Sequence, residues 1–178
     1  MIARPLILAF GLGWLALAPQ TRAATATQTL DKADLVKAAV IEKIARFIDW
    51  PKPPDGQFVL CVAGEHPQLQ ALRAYYENIA IGERAVAIQV VKKGESASAC
   101  RVLFLAPRDL PDLKRHRAAA DRDNILLIAE GDGAARAGVH VAFYSDSGRL
   151  KLEVNRKALE TSGLKASFRL LEVAKVVD

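Results

Sequence analysis

Reactive chemistry is scarce in this chain. Its 178 residues hold three histidines, two cysteines and one methionine. His66, His116 and His140 are scattered, with no His-x-x-x-His pair and no His/Asp/Cys cluster at metal spacing, so a built zinc or iron site is not expected. Each histidine reads as structural or solvent-exposed. There is no Gly-x-Ser-x-Gly elbow, and neither cysteine has a histidine near it in sequence, which removes the usual nucleophile arrangements. The one Gly-x-Gly after a strand, Gly131-Asp132-Gly133, carries Asp132 and follows Glu130. Both acids would repel a phosphate, and no Walker-type lysine follows, so these glycines are turn residues. Asp49, Glu153 and Glu160 are solvated carboxylates on this reading. No cofactor is implied, and the chain is not read as an enzyme.

Charge of one sign is also missing. The formal net charge is +5, with basic and acidic residues interleaved. The densest basic cluster, Lys114-Arg115-His116-Arg117, is a solvated helix face, so nucleic acid is not an expected partner.

What is present begins with an export signal over residues 1–23. Arg4 supplies positive charge, Leu6 to Ala18 is apolar, and Thr21-Arg22-Ala23 offers small residues at the cleavage positions. The apolar run is shorter than the about 20 residues a membrane-spanning helix requires. No cysteine follows it closely enough for a lipid anchor. Residues 24–30 then form a flexible lead-in, and 31–178 suit one domain. Export implies an oxidising compartment, where Cys61 and Cys100 can make the single intramolecular disulfide. Two buried free thiols are the alternative.

Hydrophobic periodicity gives the rest. Val36, Val40, Ile44, Phe47 and Ile48 share one face of a first helix that Trp50-Pro51 terminates. Phe58 to Gly64, Ala85 to Val91, Arg101 to Ala106 and Asn124 to Ala129 read as strands. Between them run a helix through Leu69, Leu72, Tyr76 and Ile79, ending near Gly82, and another from Asp109 to Ala120. The continuous apolar runs Val102 to Leu105 and Ile125 to Ile128 require burial on both faces, as in a parallel sheet. Val139 to Tyr144 and Leu150 to Val154 flank Ser145-Asp146-Ser147-Gly148 as a hairpin. In its second arm Leu150, Leu152 and Val154 face inward while Lys151 and Glu153 face solvent, which sets it near a sheet edge. Asn155 caps a short helix to Thr161, stopped at Gly163. A last helix starts at Ser167, with Phe168, Leu170, Leu171, Val173, Ala174 and Val177 facing inward. The expected fold is α/β, a Rossmann-like, mostly parallel sheet with helices on both faces and a C-terminal antiparallel hairpin.

Four segments, in order, resemble the YfiR family. They are Lys37-Ala38-Ala39 through Trp50-Pro51; Leu60-Cys61-Val62-Ala63-Gly64 with Cys100-Arg101-Val102-Leu103-Phe104-Leu105; Leu126-Leu127-Ile128 with Leu150-Lys151-Leu152-Glu153-Val154-Asn155; and Ser162-Gly163-Leu164-Lys165-Ala166-Ser167-Phe168 through Ala174. The resemblance implies a periplasmic, non-catalytic repressor. Its partner would be the periplasmic sensory region of an inner-membrane diguanylate cyclase, with an outer-membrane lipoprotein able to sequester it. Repression would lower cyclic di-GMP and biofilm formation. Homodimerisation through the Leu150 to Val154 strand is a further implication. The candidate interaction surface comprises Trp50, Leu150, Leu152 and Glu153, since aromatic residues favour binding hot spots. The alternative reading is a periplasmic small-molecule-binding module, with Gly64 to His66, Ala106 to Arg108 and Ala129 to Gly131 lining the site.

Overall fold

The computed structural model describes residues 30–52 and 56–178. The export signal and most of the lead-in lie outside the described residues. Helix α1 (Lys32–Arg46) is capped by Asp31, whose side chain accepts from the Ala33 N–H at 2.9 Å. It ends sooner than its apolar pattern suggested. Ile48–Asp49 form a short strand, β1, paired antiparallel with β9 (Lys165–Ala166). The Ser167 N–H bonds the Phe47 carbonyl at 2.8 Å, so tertiary pairing takes what helical periodicity had claimed. The inward face also shifts. Ala38, Ile41, Ile44 and Ala45 are buried, whereas Val36 is exposed.

The chain continues through β2 (Phe58–Ala63), α2 (Gln68–Tyr76), β3 (Ala80–Ile81), β4 (Arg84–Val91) and β5 (Val102–Leu105). Ile79 falls outside α2 and is exposed, because Ala80–Ile81 turn back to pair with Arg84 and Ala85. After β5, a 3-10 turn at Pro107–Asp112 leads into α3 (Leu113–Asp123), and then β6 (Leu126–Glu130). Pro111 accounts for the turn, since it has no amide hydrogen to donate.

Strands β7 (Val141–Asp146) and β8 (Arg149–Asn155) make the hairpin. Its tip, Ser147-Gly148, has φ of 50° and 74°, the left-handed geometry that matches strand twist in two-residue turns. Helix α4 (Arg156–Thr161) is capped by Asn155, whose side chain accepts from the Ala158 N–H at 2.7 Å.

The C-terminus departs from expectation. Helix α5 (Phe168–Val173) is short, and β10 (Lys175–Val177) pairs parallel with β8. Phe168 and Val173 are 74% and 72% exposed, not inward-facing. The hairpin's second arm does lie near a sheet edge, with β10 outside it. β10 covers Glu153–Asn155 and leaves Arg149–Leu152 without a strand on that side among the described residues.

The main sheet has eight strands in the order β10-β8-β7-β6-β5-β2-β4-β3, mostly parallel. Alternate residues serve two core layers. Leu60, Val62, Phe104 and Ile128 meet α1, α2 and α4, with Phe104 stacked on Phe143 at 5.7 Å. Cys61, Leu103, Leu105 and Leu127 meet α3 and the Ala134–Val139 loop. Helices thus cover both faces. Among the described residues, no helix is long and apolar enough to cross a membrane.

Candidate functional site

Cys61 and Cys100 are bonded and buried, their Cα atoms 5.7 Å apart. Cys61 sits mid-strand in β2. Cys100 closes the turn before β5, where its N–H bonds the Ala97 carbonyl at 2.9 Å. The bridge ties β2 to the turn that enters the adjacent strand β5, and the loop it closes holds α2, β3 and β4.

The remaining candidates do not form one surface. Trp50 is half-buried and meets Phe58 edge-on at 5.9 Å. With Ile48, Ile81, Arg46 and Arg84 it borders a hollow of about 330 Å³. Leu150 is exposed and Leu152 half-buried, at the far side of the sheet. Glu153 is the clear correction. It is fully buried, with its carboxylate paired to Arg136 at 2.7 Å and Lys175 at 3.2 Å. Strand alternation had put it in solvent, but β10 and Arg136 close over that face. A buried carboxylate needs such partners.

His140 belongs to a buried polar network that sequence spacing did not reveal. Its Nδ1 accepts the Leu127 N–H at 3.0 Å, so the ring proton must sit on Nε2. That nitrogen donates to the Ser162 hydroxyl at 2.9 Å, and Ser162 in turn donates to Asp121. Arg117 lies beside the imidazole and pairs with Asp121 at 2.9 Å. Burial, helped by Arg117, pushes the His140 pKa down to about 3. Serine, histidine and aspartate are together, but wired against nucleophilic catalysis. The hydroxyl donates its hydrogen bond to the carboxylate and not to the imidazole, and Ser162 itself is fully buried. The network ties α3 and α4 to the sheet.

At the carboxyl ends of the parallel strands, the chain leaves β2 toward β4 and returns on its other side as β5, which is where open α/β sheets form a crevice. Half-buried His66 stands there, edge-on to Phe104 at 5.4 Å, with Nδ1 accepting the Gln68 N–H at 3.0 Å. Burial and then Arg108 lower its pKa. Lys37 reaches from α1 to Glu130 at the end of β6, 2.9 Å away, and both charges act on His66. The Gln68 side-chain oxygen, Oε1, is buried without a partner. No group of His, Cys, Asp and Glu among the described residues could hold a metal.

A family model described as YfiR/HmsC-like matches residues 34–175, from the first turn of α1 to the start of β10. The chain belongs to the YfiR/HmsC-like family. The match covers the disulfide, the sheet and the hairpin alike. YfiR/HmsC-like proteins are periplasmic and regulatory, and the family points to control of diguanylate cyclases. No curated protein matches the chain.

Proposed function

We propose that this chain is a non-catalytic periplasmic regulator that binds the periplasmic region of an inner-membrane diguanylate cyclase and holds it inactive. Cyclic di-GMP, and biofilm formation with it, then stay low. The observation that carries this reading is the YfiR/HmsC-like match across residues 34–175. The architecture suits the role, since a stapled domain with two packed core layers presents a fixed surface to a partner. An outer-membrane lipoprotein that competes for that surface would release the cyclase. Deleting the gene should raise cyclic di-GMP, and deleting the cyclase as well should abolish the rise. Unchanged cyclic di-GMP in the single deletion would sink the proposal.

A second reading rests on the crevice at the carboxyl ends of β2, β5 and β6. There His66, the Lys37–Glu130 pair and the unpartnered Gln68 oxygen converge. On that reading a small polar ligand binds and tunes the regulator. A thermal-shift screen across metabolites, repeated on His66→Ala, separates it from the first.

A further inference from the structure

Strand β4 is a sheet edge with almost nothing on its outer side. Its inner side pairs with β2 from Val86 to Val91, but β3 reaches only Arg84 and Ala85. Beyond Ala85 no strand of the described residues lies outside it. The direction of its main-chain groups follows from one bond. The Gly64 N–H meets the Val91 carbonyl at 2.9 Å, so Val91, Gln89 and Ala87 turn their backbone toward β2. Val86, Ile88 and Val90 therefore turn their N–H and C=O groups outward, in the same sense as Arg84 toward β3.

Folded proteins usually guard such an edge with a charge, a proline or a bulge. Val86-Ala87-Ile88-Gln89-Val90-Val91 contains no charged residue and no proline. A hollow flanks each end. The one of about 330 Å³ beside Trp50, Phe58 and Arg84 lies at its start. One of about 670 Å³, bordered by His66, Leu69, Arg73, Val90 and Lys92, lies at its finish. Each hollow sets two cations against one acid, Arg46 and Arg84 with Glu83 at the start and Arg73 and Lys92 with Glu65 at the finish.

We infer that the open edge of β4 is the docking site for an extended segment of a partner protein, which adds to the sheet as a further strand. Outward main-chain groups supply the ladder, and the two hollows take side chains, as in strand-addition recognition. The segment is apolar through its middle and acidic at its ends, with an aromatic or aliphatic side chain beside Trp50 and a carboxylate beside Arg73 and Lys92. A second copy of this chain fits poorly. Two-fold antiparallel pairing centred on Ile88 runs each copy's Lys92 into the place beside Arg84 that β3 already fills. The inference builds on the reading of the chain as a partner-binding regulator and names its contact surface.

The test follows backbone amide exchange in protein purified from the periplasm, with two probes. One is a synthetic peptide of alternating valine and threonine with aspartates at its ends, beside the same peptide ended with lysines. The other is the purified periplasmic region of the cyclase. The aspartate peptide should slow exchange at Val86, Ile88 and Val90, and the lysine peptide should not. Arg73→Glu with Lys92→Glu should weaken the aspartate peptide about tenfold, with thermal stability unchanged. Equal binding of both peptides, or protection that grows with protein concentration and no peptide, would overturn the inference, the latter because a second copy would hold the edge. If the cyclase region binds and protects Leu150–Leu152 instead, the surface is wrong and the regulatory function stands. If the aspartate peptide binds and the cyclase region does not, the edge stands and the cyclase reading fails.

Discussion

Replacing both Cys61 and Cys100 with alanine tests what the disulfide contributes. The two are 39 residues apart in sequence. Loop-closure entropy for that length corresponds to about 4 kcal/mol in the chain-entropy model. Loss of two buried sulfur atoms adds a smaller packing deficit. The total is a large share of the roughly 5–15 kcal/mol that stabilises a domain. For a domain near 150 residues it lowers the melting temperature by about 10–15 °C. Urea titration followed by Trp50 fluorescence reads the loss directly, because Trp50 packs on Phe58 at the first residue of β2. The closed loop contains α2, β3 and β4, so native-state exchange should rise first in those elements. A loss below about 1 kcal/mol would refute loop entropy as the source of the effect. Free thiols on alkylation of protein purified without reductant would refute the bridge itself.

Acid should destabilise the fold through His140. Its folded pKa of about 3 lies below the unfolded value of 6.5, so the unfolded chain takes up the proton first. Stability is full above about pH 6.5 and falls as pH drops toward 3, by on the order of 4 kcal/mol, and His140→Gln should flatten that slope in urea titrations across the range. Gly163→Ala should cost about 1–3 kcal/mol. Gly163 has φ of +70°, and an added Cβ would lie 2.8 Å from the Asn124 amide nitrogen that bonds the Ser162 carbonyl. Thermal melts would read the change. Glu153→Met should stay within about 1–2 kcal/mol of the parent, whereas Glu153→Lys should cost several, since it buries a cation between Arg136 and Lys175. Equal melting temperatures for those two variants would show that the carboxylate is not enclosed.

The parts of this protein legible in sequence are those whose signal is local or compositional. The apolar runs of β5 and β6 marked a two-sided parallel sheet because both faces of those strands exclude water. Ser145 to Gly148, between two apolar arms, marked the hairpin, and the structure narrows its turn to Ser147-Gly148 by carrying the strand on to Asp146. Asn155 marked a helix start because its side chain satisfies a free amide. The order of motifs from Lys37 to Ala174 marked the family.

Tertiary structure decided wherever two distant segments compete for one set of backbone or side-chain groups. Ile48–Asp49 left the helix to pair with Lys165–Ala166. Lys175–Val177 left it to cover β8, and that one pairing turned Glu153 from a solvated residue into a buried, doubly paired one. The same competition hid His140. Its meaning depends on Leu127, Ser162 and Arg117, which sequence separates and the sheet brings together. The open edge of β4 belongs to this class too. Its alternation and composition are written in the chain, but whether another strand lies beside Ile88 is a property of strand order alone. Local propensity acts through near neighbours in the chain, whereas pairing and burial free energies arise from contacts between distant segments, which a single pass along the sequence cannot add up.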